Sequence, residues 1–282
     1  MGNPLANFVP AANPIWRLAL DPSIAAAAPA LAALDAPGQL LTEPQPVAAS
    51  RFSRVSRGRF ALPGIAPESV YLKEFVDRGP LEALKNLVRP HRALRALAAE
   101  QALTAAGFQV PVTLLVGWRQ PLGMRRRVFV VSRDLGDFHN LYQCAAALDG
   151  ASVGHRRHWL RGIADGVAAL HQAGFAHGDL RPGNLLARER DGQLECAWLD
   201  NERTRHFRHL PGRLRLKNLV QLNMLLSPAL RRRDRLFFLH CYCRHFTDLD
   251  PNTLRREVEI KTRGRLQRLA NQGRLRQEDL WL

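Results

Sequence analysis

The chain has 282 residues, 46% of them hydrophobic, and a formal net charge of +16 carried mostly by arginine. That apolar content excludes a disordered chain and suffices for one two-lobed domain or two small ones. The basic excess points to a polyanionic partner: nucleic acid, an anionic membrane face or a phosphorylated substrate. Residues 1–47 read as a Pro/Ala-rich, partly flexible arm, with Asp21-Pro22-Ser23 able to cap a short helix through Leu34. Strand-like pieces follow at 50–55, from Arg59 after Gly58, and at Val70–Phe75 beyond a turn at Pro63-Gly64. Helices are expected at Leu81–Leu87 and at Pro90–Ala106, the latter stopped by Gly107, and strands at Val112–Trp118 and Arg127–Ser132. Gly154–Ala173 has apolar residues at helical spacing (Trp159, Leu160, Ile163, Val167, Leu170) and stops at Gly174. Strands at Asn184–Ala187 and Glu195–Leu199 flank an Asp191-Gly192 turn. Helices resume at Leu216–Leu226 and Arg233–Phe246, and a basic tail helix from Thr253 is expected to break at Gly264 and Gly273.

The expected fold class is therefore α+β. An arm (1–47) precedes an N-terminal lobe of antiparallel sheet plus helix (48–133) and a mainly helical C-terminal lobe (134–282). Four cysteines, Cys144, Cys196, Cys241 and Cys243, show no Cys-x-x-Cys spacing and read as reduced thiols of an intracellular protein. His240-Cys-Tyr-Cys-Arg-His245 sits in an apolar run that reads as a buried helix, and its spacing matches no usual zinc pattern. The alanine-rich run from Ile24 to Leu34 is short and broken by Pro29, so neither a membrane span nor a signal peptide is expected.

The strongest chemical signal is His177-Gly-Asp179-Leu-Arg181-Pro-Gly-Asn184, lying between the helical pattern and a strand. A carboxylate there can take a proton from an attacking hydroxyl, an amide oxygen five positions on can ligate a hard cation, and a cation two positions on can screen a transferring anion. About twenty residues later Trp198-Leu-Asp200 is an apolar strand ending in an acid, and upstream Val70-Tyr-Leu-Lys73 places a lysine on a strand. In residue type, spacing and order these pieces resemble the catalytic loop, metal-binding aspartate and nucleotide lysine of the protein-kinase-like fold. The resemblance implies ATP and Mg2+ as cofactors. Asp179 would be the catalytic base, with Arg181 stabilising transferring charge. Asn184 and Asp200 would hold the metal, and Lys73 the nucleotide's phosphates. Glu100, on the helix before Gly107, would pair with Lys73, and Gly58 would stand in a glycine-poor hairpin over the phosphates.

Two features depart from regulated protein kinases. Gly178 replaces an arginine after the loop histidine, and only about 17 residues separate Asp200 from the helix near Leu216, without an Ala-Pro-Glu anchor. The loop, Leu199-Asp-Asn-Glu-Arg-Thr-Arg205, Arg215-Leu-Lys-Asn-Leu-Val-Gln-Leu222 and Asp234–Tyr242 together resemble the bacterial lipopolysaccharide core kinases of the Kdo and heptose kinase family, over roughly residues 51–246. This implies ATP-dependent phosphorylation of an inner-core sugar hydroxyl, with the anionic sugar as substrate, at the cytoplasmic face of the inner membrane. Asn218 is expected to accept hydrogen bonds from catalytic-loop amides. Arg203, Arg205, Arg208, Arg213, Arg215 and Arg125–Arg127 are candidate substrate contacts. The tail cations Arg255, Arg256, Lys261, Arg263, Arg265 and Arg268 form either a membrane-facing or a solvated face. The alternatives are another small-molecule or protein kinase on the same fold and a pseudokinase scaffold in envelope assembly. Nucleic acid is not an expected partner, since no basic–aromatic platform is evident.

Overall fold

The computed structural model describes residues 3–49, 52–60, 62–76, 90–119 and 127–273. The expected helix at Leu81–Leu87 and the candidate contacts Arg125 and Arg126 lie outside the described residues. The chain divides into two compact units, Met1–Ala102 with Pro111–Gly136 and Leu103–Val110 with Asp137–Leu282.

The first unit is built on β1 (Val9–Ala11), β2 (Arg17–Leu20), β3 (Leu41–Val47), β4 (Ser53–Phe60), β5 (Glu68–Phe75), β6 (Thr113–Arg119) and β7 (Arg127–Arg133). Among the described residues they form a seven-stranded sheet in the order β1-β2-β6-β7-β5-β4-β3, antiparallel at every pairing. Where the sequence reading expects an arm over residues 1–47, this segment supplies β1, β2 and β3 and a 3₁₀ stretch at Pro22–Ala33. Ile24, Leu31, Leu34 and Leu40 from it are buried with Leu18, Leu20, Val70, Leu72, Phe129 and Val131 in one core. The signal was present in the spacing of Ile24, Ala27, Leu31 and Leu34. It is muted because alanine and proline carry little of the hydrophobic contrast that marks a buried face.

Alternation along β5 sends Val70 and Leu72 to that core and Phe75 to the other face. There Phe75 meets Val128 and Ala93, the latter on α1 (Arg92–Ala105). By the same parity Lys73 shares Phe75's face, opposite Val130 of β7 and Val55 of β4. The helix carrying Glu100 thus packs on the face that carries Lys73.

In the second unit β8 (His139–Asn140) leads to α2 (Leu141–Ala147) and the long α3 (Val153–Gln172). Then come β9 (Phe175–Ala176), β10 (Leu185–Arg190), β11 (Gln193–Trp198) and β12 (Arg205–His206). The chain continues through α4 (Gly212–Leu222), α5 (Arg232–Cys243) and α6 (Pro251–Asn271). Asp191 and Gly192, with φ of 51° and 70°, make the expected tight turn between β10 and β11. The helix α6 runs straight through Gly264, where the sequence reading places a break, because Leu254, Val258, Thr262 and Leu266 bury one continuous stripe. The run His240–Arg244 lies on and just after α5, with Cys241, Tyr242 and Cys243 buried and all four cysteines free. Arg156 of α3 and Asp234 of α5 form a buried ion pair at 2.7 Å.

Candidate active site

The loop is anchored at its entrance by backbone geometry. After α3, Gly174 adopts φ +80°, and a Cβ there would lie 2.0 Å from the Phe207 carbonyl oxygen. Only glycine admits that approach. It lets β9 pair antiparallel with β12, Ala176 opposite Arg205 and Phe175 opposite His206.

The polypeptide then enters His177-Gly-Asp179. His177 is fully buried and links two segments: its Nε2–H donates to the Leu199 carbonyl (2.8 Å), and its Nδ1 accepts from the Asp179 N–H (3.3 Å). Burial pushes its pKa below the ordinary value, consistent with this neutral tautomer. The histidine thus holds Asp179 in register with the residue before Asp200.

Helix α4 holds the loop from the other side. Lys217 Nζ donates to the Gly178 carbonyl (3.1 Å). Asn218 Oδ1 accepts from the His177 N–H (3.1 Å), and its Nδ2 donates to the His177 carbonyl. Gln221 Oε1 accepts from the Leu180 N–H (3.1 Å), while Gln221 Nε2 donates to Asp179 Oδ1 (3.1 Å). Asn218 and Gln221 are 1% and 2% exposed, so these bonds form in a dry, low-dielectric setting. The network extends deeper. His171 Nε2–H donates to Asn218 Oδ1 (3.2 Å), and the Tyr242 hydroxyl donates to His171 Nδ1 (2.8 Å). Burial pushes His171 down to about 4, so it is neutral at physiological pH. A chain of side chains therefore runs from Tyr242 on α5 to the carboxylate of Asp179.

The expectation for Asn218 holds in the structure, whereas Gln221 and Lys217 were missed. Their signal lies in the spacing: Leu214, Asn218, Gln221 and Leu225 follow a helical core period, with amides at two of its positions. An amide at a core position must find partners, and here the partners are the loop's backbone groups.

Asp179 Oδ2 also receives the Arg181 guanidinium at 2.7 Å. The Asp179 carbonyl accepts from Asn184 Nδ2 (2.8 Å). That bond commits the amide nitrogen of Asn184 and leaves its Oδ1 without a hydrogen bond among the described residues. The Asn184 carbonyl accepts from the Leu199 N–H (2.9 Å), which brings Asp200 next to Asn184. Asp200 itself has φ 57° and ψ 52°, a left-handed conformation that is costly for a residue with a Cβ. Asn201, fully buried, fixes the turn after it. Its Nδ2 donates to the Trp198 carbonyl (2.9 Å), and its Oδ1 accepts from Thr204 (3.1 Å). This agrees with the absence of Phe-Gly after Asp200.

Asn184 and Asp200 together supply hard oxygen donors of the kind Mg2+ takes, completed in kinases by nucleotide phosphates and water. Among the described residues no three His, Cys, Asp or Glu side chains gather as a metal group. A donor set of one amide and one carboxylate is outside that description and fits a nucleotide-borne cation better than an all-protein cage.

In the first unit, Lys73 is half-buried on β5, with Nζ 5.2 Å from the Phe75 ring centroid. Glu100 Oε2 accepts from Thr113 Oγ1 (3.1 Å). Gly58 departs from expectation. The sequence reading puts it in a hairpin turn, but β4 passes unbroken through it, with Gly58 opposite Val70. A Cβ there would lie 2.9 Å from the Thr42 carbonyl oxygen, at the irregularity where β3 shifts register between Thr42 and Gln45. Close approach of β3 accounts for a glycine at this position. Of the candidate substrate arginines, Arg215 is engaged locally, 3.1 Å from Asp248 and 5.0 Å from the Phe246 ring centroid.

A sheet unit with a strand lysine and a mainly helical unit with this loop and acid-ended hairpin define the protein-kinase-like class. Residues 80–242, more than half of the chain, match the model of the lipopolysaccharide kinase (Kdo/WaaP) family. The chain belongs to that family of kinases. The structure of WaaP in complex with acyl carrier protein is similar to it, with a TM-score of 0.56 and 20% identity over 86% of this chain and 91% of that one. Cyclin-dependent kinase F-1 of Oryza sativa subsp. japonica is 42% identical over 59 residues, 21% of this chain and 12% of that protein. The chain thus spans about an eighth of that relative. Among the described residues, no helix is long and apolar enough to cross a membrane.

Proposed function

We propose that the chain transfers the γ-phosphoryl group of ATP to a sugar hydroxyl of the lipopolysaccharide inner core, on heptose or Kdo. The observation that carries this reading is the Asp179 carboxylate, held at Oδ1 by Gln221 and at Oδ2 by Arg181 beside Asn184 and Asp200. Asp179 accepts the acceptor hydroxyl's proton. Arg181, with a side chain 56% exposed, exchanges the aspartate for the transferring phosphoryl group. Lys73 orients the nucleotide phosphates and Glu100 orients Lys73. Nucleotide-borne Mg2+, held by Asn184 and Asp200, would supply charge neutralisation at the β- and γ-phosphates.

Membrane association belongs to the same reading. The helix α6 buries one stripe and leaves Arg256, Lys261, Arg263 and Arg268 exposed, a face suited to anionic lipid at the cytoplasmic side of the inner membrane. Binding to anionic liposomes that does not weaken with salt would count against it.

WaaP's complex with acyl carrier protein suggests the same carrier as a partner of this chain. An apolar cavity in the second unit, lined by Leu141, Leu160, Ile163, Leu222 and Phe238 among others, favours a partner that delivers an acyl chain. Acylated carrier should then bind more tightly than the unacylated form.

The acceptor is tested by transfer of labelled phosphate from ATP to purified core oligosaccharide, with generic protein substrates and aminoglycosides in parallel. Mass spectrometry of core from a deletion strain complements it. A core lacking one phosphate names the sugar. Transfer to protein alone, or to nothing, contradicts the reading.

A further inference from the structure

A second cavity, of about 120 Å³, opens beside the catalytic loop. Arg203, Arg205 and Lys217 line it together with Gly178 and Asn218. Each cation comes from a different local device. Lys217 is held by its bond to the Gly178 carbonyl. Arg205 is fixed by the pairing of β12 with β9, opposite Ala176. Arg203 packs directly on the loop: a Cβ on Gly178 would lie 2.3 Å from both the Arg203 Cβ and its carbonyl oxygen. The glycine that replaces the usual loop arginine therefore admits another arginine's backbone to the same place.

Gathering like charges is unfavourable unless an anion offsets it. The only acidic partner among the described residues is Glu202, at 3.9 Å from Arg203 Nε, the outer limit of an ion pair. Arg205 and Lys217 have no acidic partner among the described residues. All three cations are solvent-accessible, so a ligand can reach them.

We propose that this cavity is an oxyanion subsite. It takes a carboxylate or phosphate group of the acceptor between Arg203, Arg205 and Lys217, one residue from the catalytic base. This deepens the kinase reading and rests on it for the identity of the acceptor. Guanidinium groups bind both anions with charge-assisted hydrogen bonds. Anchoring the acid group would orient the neighbouring sugar toward Asp179 and favour acidic acceptors over neutral ones.

The test compares wild type with Arg203→Gln/Arg205→Gln and with a charge-matched control, Arg190→Gln/Arg232→Gln. Inorganic phosphate is titrated calorimetrically at constant ionic strength, with a non-hydrolysable ATP analogue present. The double cavity variant should lose about tenfold or more in phosphate affinity, and the control should not. This measurement needs no turnover, so it reports on the cavity even if the chain phosphorylates nothing in the core. In kinetic assays the cavity variant should raise the acceptor KM by a similar factor while the KM for ATP holds. Dephosphorylated and carboxyl-reduced cores separate the sources: the core whose KM no longer differs between wild type and variant has lost the bound group. Equal phosphate affinity in wild type and the cavity variant overturns the subsite. Normal phosphate binding loss without any core phosphorylation keeps the subsite and overturns the acceptor assignment.

Discussion

Replacing Asn218 with alanine removes one small side chain and strips partners from several buried groups. The Asn218 amide bonds the His177 N–H, the His177 carbonyl, the His171 ring and Gln221. Gln221 keeps its bond from Leu180, so the orphans are the two backbone groups of His177 and the Nε2–H of His171. Each buried unsatisfied group costs roughly 1–3 kcal/mol, and some relief comes from an entering water, so about 3–5 kcal/mol is expected for Asn218→Ala. Asn218→Asp keeps both acceptor roles but sets a carboxylate against the His177 carbonyl, so it should fall between wild type and alanine. Urea denaturation measures stability, and steady-state kinetics should show kcat falling as the loop loosens while ATP affinity holds. If Asn218→Ala lies within about 0.5 kcal/mol of wild type with unchanged kcat, α4 does not position the loop.

Three further outcomes follow from the same geometry. His171, pushed from an ordinary 6.5 down to about 4, is a group whose unfolded form binds the proton first. Its contribution is complete above pH 6.5 and is lost as pH falls toward 4, at about 1.4 kcal/mol per unit, roughly 3 kcal/mol in all. Urea midpoints between pH 7.5 and 4.5 should show this slope, reduced in His171→Gln. Asp234→Ala leaves the Arg156 guanidinium buried against the carbonyls of Leu148 and Ala229, and thermal or urea unfolding should show a loss of about 3–5 kcal/mol. Gly174→Ala forces a Cβ against the Phe207 carbonyl at a positive φ, so soluble yield or melting temperature should drop sharply.

The parts of the fold that alternate or repeat cleanly were legible in the sequence. The β10–β11 turn, α3 with its glycine stop and α5 all fall within a few residues of the expected positions. The loop from His177 to Asn184 was legible because its chemistry needs particular side chains at fixed separations. The N-terminal strands were not, since their partners lie far along the chain: β2 pairs with β6, about a hundred residues on. Short β9 and β12 gave no pattern at two residues each. Gly58 misled because a glycine between strand-like pieces suggests a turn, while here it serves the bulged neighbour strand. Gln221 was hidden because nothing in an isolated glutamine tells that a helix will carry it to a catalytic carboxylate.

The account stands on proton abstraction by Asp179. Rapid-quench transfer of labelled phosphate from ATP to core oligosaccharide by Asp179→Asn is the most direct test, with nucleotide affinity measured separately. The side chain keeps its size, and its one carbonyl oxygen can accept from Gln221 or from the exposed Arg181 but not from both, so the fold and ATP binding should persist while the transfer rate drops by roughly 10²–10⁴-fold. Transfer at the wild-type rate would contradict the assignment of the base, and the phosphotransfer mechanism with it.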